Sequence, residues 1–441
     1  MNDTVTEALP RDEAAPGFDP RSLSPARGLA RLLRERVHGQ ARALRDCQLR
    51  LIDADGDVVL GMPAADPSQT LHATMWVRDP AFYRQLAFAG SVGGGEAYVD
   101  GCWDCSDLTA LVRILVRNRD LLDDMEGGFA RLAGWLMRGA HVFARNTRGG
   151  SRRNIASHYD LGNKLFGLFL DESMMYSAAI FATPDESLES AQRRKLDRIC
   201  RKLQLAPGDH VVEIGSGWGG FAMHAARHYG CRVTTTTISR EQHEFASGRV
   251  REAGLADRVT LLQKDYRDLT GRYDKLVSLE MVEAIGHQYL QDYFARCASL
   301  LKDDGMALIQ AITIEDHRYQ MALGSVDFIK RHIFPGSFIP SVAALQAAMA
   351  RGSDLRLFNL EDIGPSYALT LRHWRQRFHA RLAEVRALGY PERFIRLWEY
   401  YLAYCEGGFI ERSIGDVQML LTRPRCRRPE FVPPEPAQQV S

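Results

Sequence analysis

A short apolar run, His210-Val211-Val212-Glu213-Ile214, opens directly into Gly215-Ser216-Gly217-Trp218-Gly219-Gly220 and then into a helical stretch at 221–229. A strand that empties through glycines into a helix leaves few folds open. Downstream the pattern alternates, with strands at 232–237, 259–263, 275–279 and 306–312 and helices at 241–253 and 288–300; an amphipathic helix at 187–203 precedes it. Such alternation predicts an α/β unit, a mostly parallel sheet with helices on both faces. Ligands of such sheets sit at the carboxyl ends of the strands.

The residue before the first glycine narrows the ligand. A dinucleotide site places a pyrophosphate on the helix N-terminus. Glu213 there would repel pyrophosphate but suit an ammonium or sulfonium group. That points to S-adenosylmethionine, with Glu213, Gly215 and Gly217 at the cofactor.

The remaining chain sets the context. Its 441 residues correspond to roughly two or three domains. A net charge of +1 gives no argument for a nucleic-acid partner, and eight scattered cysteines fit a reducing cytoplasm rather than a disulfide scaffold. No signal peptide is read at the N-terminus. The longest stretch free of Asp, Glu, Lys and Arg, 332–350, holds two prolines and makes a poor membrane span. Charge is nonetheless uneven, since residues 21–50 hold eight Arg against Glu35 and Asp46. At 25–45 a helical period places Leu29, Leu32, Leu33, Val37, Ala41 and Leu44 on one face and Arg31, Arg34, Arg42 and Arg45 on another. This is either a surface helix packed on its own domain or a helix lying on an anionic bilayer.

Residues 1–20 and 423–441 read as disordered tails. Between 21 and 145 a small α+β domain is expected, with a hairpin broken at Asp55-Gly56-Asp57 and helices at 82–89 and 108–122 around a turn at Gly93–Gly95. A basic linker at 145–153 leads to a second domain at 151–422.

Within that second domain, GSGWGG followed by Thr237-Ile238-Ser239-Arg240-Glu241-Gln242 resembles the cyclopropane-fatty-acyl-phospholipid synthase family, which includes the mycolic acid cyclopropane synthases. His158-Tyr159-Asp160-Leu161-Gly162-Asn163, Met175-Tyr176-Ser177, Gln263-Lys264-Asp265-Tyr266, Glu283 in MVEAIG, Ile333-Phe334-Pro335-Gly336 and Gly364-Pro365-Ser366-Tyr367 extend the likeness. The resemblance implies a Rossmann-like class I methyltransferase with a seven-stranded sheet. It places Tyr176 and Ser177 at the methionine part of the cofactor, Thr237 and Gln242 at its ribose and adenine, and Asp265 and Tyr266 beside the adenine.

The reaction so implied is attack of an acyl-chain alkene on the sulfonium methyl, then loss of a proton and closure to a cyclopropane. The resemblance further implies a bound bicarbonate as base, held by a Cys backbone, a Glu, a His and a Tyr. Glu283 and Tyr367 match that set; Ala178 stands where the Cys is expected and Gln310 where the His is expected. A glutamine can donate a hydrogen bond but carries no positive charge. Glu283, Tyr367 and Gln310 are therefore the catalytic candidates, with bicarbonate in question and a methyl-branched or methylene product as the alternative to the ring. A small-molecule N-methyltransferase and a non-catalytic lipid binder are more distant readings. Expected partners are unsaturated phospholipid chains, an anionic membrane surface at helix 25–45 and a second copy in a homodimer. The expected location is the cytoplasm, at the inner face of the membrane.

Four further features carry plainer expectations. Cys102-Trp103-Asp104-Cys105 is structural, without a metal. His158 serves either a helix cap or the cofactor loop. Glu280 pairs with Lys330 or Arg331, or else is a second active-site carboxylate. Trp374, Phe378, Phe394, Leu397, Trp398, Tyr401 and Tyr404 form core or wall an acyl tunnel, and 332–350 is a loop over the pocket mouth.

Overall fold

The computed structural model describes residues 18–125 and 162–428. The expectations for His158, for the linker at 145–153 and for most of both tails lie outside them. The chain divides into two compact units, residues 1–134 with 391–407, and 135–390 with 408–441.

The first unit is built on a four-stranded sheet. Strands β1 (Cys47–Asp53), β2 (Gly56–Leu60), β3 (Leu71–Val77) and β4 (Trp103–Cys105) run in the order β2-β1-β3-β4. In β1 burial alternates along the strand, so Cys47, Leu49 and Leu51 enter the core. The hairpin turns at Ala54-Asp55, one residue before the expected break, and Gly56 already pairs with Asp53 as the first residue of β2. Cys102-Trp103-Asp104-Cys105 contributes β4, with Trp103 buried and its indole N–H donating to the Gly94 carbonyl.

Two local expectations fail here for physical reasons. Gly93–Gly95 is not a turn but lies inside helix Ala81–Val99, whose break falls at Gly90, with φ at 56°. Gly93 is needed for close packing, because a Cβ there would overlap the Gln85 carbonyl oxygen. The stretch 108–122 is two helices, Leu108–Arg117 and Arg119–Met125. On helix Leu29–Ala41, Arg34 turns inward and forks onto Asp53 at 2.6 and 3.0 Å, while Tyr83 donates to the same carboxylate at 2.5 Å. Leu29 and Leu32, expected on the packed face, are exposed at 54% and 65%.

Residues 391–407 of helix Glu392–Ile410 complete this unit, which a division at 145–153 did not anticipate. Arg396 fixes them: its guanidinium lies 4.0 Å over the Tyr98 ring, donates to the Tyr98 and Trp103 carbonyls and pairs with Asp104. Trp398, Tyr400 and Tyr401 are buried there as core.

In the second unit seven strands form one sheet: β5 (His210–Ile214), β6 (Arg232–Thr237), β7 (Val259–Gln263), β8 (Tyr273–Leu279), β9 (Leu301–Ile314), β10 (Arg356–Asp362) and β11 (Ile414–Thr422). Their order is β10-β11-β9-β8-β5-β6-β7. The five strands from β7 to β9 are parallel, and β11 is antiparallel to both its neighbours. This is the expected α/β class with a mostly parallel seven-stranded sheet. Strands β10 and β11 had no counterpart in the sequence reading. Two cores flank the sheet, one against helices Leu290–Leu300 and Val342–Gly352, the other against helices Leu188–Lys202 and Gly220–Tyr229. Ser187 and Ser239 cap the helices that follow them, each accepting a backbone N–H from three residues on. No helix among the described residues is long and apolar enough to cross a membrane.

Gly93→Ala should destabilise the first unit by about 1–3 kcal/mol through overpacking. Denaturant unfolding followed by tryptophan fluorescence checks it, and an unchanged midpoint would refute the close-packing role.

Candidate active site

Strand β8 ends at Leu279, and Glu280 follows with its backbone in the left-handed region, φ 48°. A non-glycine residue there is uncommon and strained. Its side chain gathers three donors. Oε1 accepts from the Ala178 backbone N–H at 2.8 Å and from Gln310 Nε2 at 2.7 Å, and Oε2 accepts from the Tyr367 hydroxyl at 2.6 Å. Tyr367 belongs to helix Gly364–Ala380 and its ring stacks on Phe409 at 4.4 Å.

Gln310 is fully buried on β9 and its orientation is set from both ends. Nε2 also donates to Asp416 Oδ2 at 3.0 Å, and Oε1 accepts from Gln418, its register partner on β11. Gln418 in turn accepts from the buried Lys202 ammonium, which pairs with Glu361 at 2.5 Å. Asp416 Oδ1 is buried without a partner.

Glu283 lies in the short turn Val282–Ala284 after β8. Its Oε1 accepts from the Ile312 N–H at 2.6 Å, while Oε2 is buried with no hydrogen-bond partner. Burial, then the charge of Glu280, pushes its carboxyl up to about 8. Burial also raises Asp416 well above the carboxylate range, reinforced by Glu280 and Glu283. Phe338, in the segment 333–341 between two helices, donates its N–H to the Glu283 carbonyl. That segment thus rests on the turn that carries Glu283.

At the glycine turn the N–H groups of Gly215 and Ser216 both donate to the Thr236 carbonyl, tying the turn to β6. Gly215, Gly217 and Gly219 all have positive φ, and a Cβ on Gly217 would meet nothing within 4 Å. Trp218 is buried and donates from its indole to Asn163 Oδ1 at 2.6 Å, which joins two of the motifs. Glu213 is buried beside Thr235, and its Oε2 has no partner. Burial pushes its carboxyl up to about 8. Ser177 Oγ accepts from the buried Lys195 at 2.9 Å, and the Tyr176 ring stacks on Trp374 at 5.1 Å. Thr237 Oγ1 donates to Gln242 Oε1 at 2.9 Å. Asp265 is engaged by Arg267 at both oxygens, and Tyr266 packs edge-on against Tyr293.

The profile for mycolic acid cyclopropane synthetases matches residues 147–419. Tuberculostearic acid methyltransferase UfaA1 of Mycobacterium tuberculosis is 38% identical over 85% of this chain and 88% of its own. Cyclopropane-fatty-acyl-phospholipid synthase of Escherichia coli is 37% identical over 80% of this chain and 88% of its own. Among solved structures, the cyclopropane synthase MmaA2 of Mycobacterium tuberculosis superposes with a TM-score of 0.58 at 28% identity, covering 62% of this chain and 98% of that one.

The chain belongs to the cyclopropane-fatty-acyl-phospholipid synthase family. It is an S-adenosylmethionine-dependent methyltransferase that modifies lipid acyl chains. Coclaurine N-methyltransferase, at 17% identity and a TM-score of 0.56, shares the fold alone.

The residues of this methyltransferase suit a cationic cofactor at the glycine turn. A buried, partnerless carboxyl oxygen on Glu213 and the open space at Gly217 are what a sulfonium ligand over that turn requires. They do not suit bicarbonate: the Ala178 N–H, Gln310 and Tyr367, which the resemblance would assign to that anion, all end on Glu280. For Glu280 the sequence left two readings open, an ion pair with Lys330 or Arg331 as the plainer one and a second active-site carboxylate as the other. Its expected partner Lys330 instead donates to the carbonyls of Ala322 and Ser325. Its place at the end of a parallel strand was the available signal. Asp416, Lys195 and Gln418 carried none, since no motif surrounds them.

The raised Glu213 carboxyl makes stability pH-dependent. Below about pH 4.5 it is protonated whether folded or unfolded; from there to about pH 8 only the unfolded chain ionises, so stability falls as pH rises. Glu213→Gln should flatten the fall in urea midpoint between pH 5 and pH 7.5. An unchanged slope would show that Glu213 is ionised in the folded protein.

Proposed function

We propose that this methyltransferase adds the methyl group of S-adenosylmethionine to the double bond of an unsaturated acyl chain in a membrane phospholipid and that the product closes to a cyclopropane. The observation that carries the reading is the Glu283 carboxyl, pinned by the Ile312 N–H with one buried oxygen left over, beside Glu280 at the carboxyl ends of β8 and β9. Bound S-adenosylmethionine supplies an electrophilic methyl on a sulfonium. In this reading Glu213, Gly215 and Gly217 lie under its methionine part with Tyr176 and Ser177, while Thr237, Gln242, Asp265 and Tyr266 surround ribose and adenine. An alkene is a poor nucleophile and its methylated cation is short-lived, so the carboxyl groups must meet it in a site closed to water.

A second reading, the methyl-branched or methylene chain, is favoured by Ala178 and Gln310 and by the likeness to a tuberculostearic acid methyltransferase. The carbon that gives up the proton decides between them. Total lipid from a host expressing the protein and fed methyl-deuterated methionine should gain a ring carrying two deuteriums. An exocyclic methylene also carries two but shows olefinic carbons by NMR, and a methyl branch beside a new alkene in the chain carries three; either would establish the second reading. Glu283→Gln should lower turnover by about 100-fold or more, and full turnover in that variant would sink both.

Access to phospholipid fits the first unit. Leu29, Leu32 and Arg36 share one exposed face of helix Leu29–Ala41, with Arg31 beside it in an exposed ion pair with Glu35, so the apolar residues and Arg36 are what this face would offer an anionic bilayer. Sedimentation with vesicles containing phosphatidylglycerol should fall several-fold in Leu29→Ser/Leu32→Ser. Equal binding would remove the helix from this role. Peripheral attachment at the inner face of the membrane follows from this reading; a homodimer remains a proposal for measurement by light scattering.

A further inference from the structure

We propose that Glu280 is a built-in replacement for a bound bicarbonate, and that its carboxylate takes the proton released after methyl transfer. The inference rests on the function proposed above and names the base within the same site.

Three segments distant in sequence converge on this one side chain: the loop at Ala178, strand β9 at Gln310 and helix Gly364–Ala380 at Tyr367. Two N–H groups on one oxygen and an O–H on the other make a receptor for a carboxylate-shaped anion. The same donors cannot hold bicarbonate without releasing Glu280. A second anion would also sit among Glu280, Glu283 and Asp416, three acids for which Lys195 is the nearby cation and is already shared with Asp171 and Glu213. Donors to the ionised form favour it. Glu280 has three, Glu283 two backbone N–H groups, its own and that of Ile312, and Asp416 one amide N–H. Burial raises Glu280 as it raises the other two, but Tyr367, the Ala178 N–H, Lys195 and Gln310 all pull it back down, so Glu280 is the member of the cluster best kept charged and ready to accept. Its φ of 48° is part of the same arrangement, since strain at one residue persists when its surroundings over-determine it.

The bond changes balance without another reactant. The alkene pair forms the new C–C bond as the S–CH3 bond breaks, leaving S-adenosylhomocysteine and a carbocation on the chain. A C–H bond of that cation then breaks; its electron pair closes the ring or forms a new alkene, and the proton goes to a Glu280 oxygen. Asp416, bridged to Glu280 through the Gln310 amide, lies next to the protonated group.

A left-handed φ suits glycine, so Glu280→Gly removes the carboxylate, relieves the strain and opens the space among the donors. Wild-type turnover should be equal in carbon-dioxide-free buffer and with added bicarbonate. Glu280→Gly should lose about 100-fold or more in carbon-dioxide-free buffer and regain at least tenfold with bicarbonate. Its binding of 13C-bicarbonate should broaden the carbon resonance, as the wild type should not. Glu280→Gln, which still fills the space, should be as slow and not be rescued. Wild-type turnover that rises with bicarbonate, 13C-bicarbonate binding by the wild type, or full turnover of either variant without bicarbonate would overturn the proposal. Should circular dichroism show Glu280→Gly unfolded, Glu280→Gln decides alone. Wild-type protein that methylates no lipid in either buffer counts against the proposed function instead, and the 13C measurement still reads whether Glu280 fills the anion site.

Discussion

Burying acid is the constraint around which the second unit is arranged. Glu213, Glu280, Glu283 and Asp416 sit at or within a sheet whose other side chains are largely apolar, and burial raises all four carboxyls. The fully buried Lys195 lies among them, lowered to about 8 by burial and held up by Glu280, Asp171, Asp416 and Glu213. Such a group is tolerated only when donors replace lost water. Gln310 supplies two of them, and its own amide oxygen is satisfied by Gln418, which is satisfied by Lys202, which pairs with Glu361 and its partner Arg198. A polar line therefore runs from Glu280 at the carboxyl end of β8 through β9 and β11 to the helix Leu188–Lys202. Each amide along it can point only one way, because reversing Gln310 would set its oxygen against two carboxyl groups. Fixed amides of this kind make a site rigid before any ligand arrives.

Much of the second unit was legible because βα alternation is a strong periodic signal. Strands β5 to β8, their helices and the glycine turn stand close to where the hydrophobic runs place them, while β9 extends over Leu301–Ile314 beyond the expected 306–312. Strands β10 and β11 were not, since an antiparallel return from the edge breaks the alternation and β11 follows a long helix. That helix was misread as one piece of the second unit. Nothing in 391–407 announces that Arg396 will stack on Tyr98, some 300 residues away in sequence. Gly93–Gly95 shows the limit from the opposite side. Glycines signal turns by composition, but here they remove bulk between two helix turns, and only the neighbour at Gln85 reveals it.

The candidate site divides along the same line. Motif residues were legible because each sits in a dense local pattern: Glu213 before its glycines, Thr237 at the end of β6 with Gln242 on the helix that follows, Glu283 in a short turn. Thr237 and Gln242 are bonded to one another, and Asn163 meets Trp218 across two motifs. For Glu280 the ion pair was the plainer reading because sequence reasoning pairs an acid with the nearest available base. What decides its role is convergence of donors from 178, 310 and 367, and no single-sequence pattern carries such a distance.

An attached carboxylate differs physically from a captured anion in ways that bear on catalysis. Bicarbonate must surrender translational and rotational freedom on every binding event, and its occupancy follows its concentration. Glu280 has given up that freedom in folding, so the acceptor is present in every molecule and at a set position relative to Glu283 and Gln310. The cost falls on the fold instead, as a left-handed backbone and a crowded group of acids. Gln310, where the resemblance implies a histidine, fits the same arrangement. A cationic partner beside a permanent carboxylate would pair with it and blunt its basicity, whereas a neutral amide orients the carboxylate without neutralising it. Ala178 completes the set, because only its backbone N–H is used and no side chain is required there.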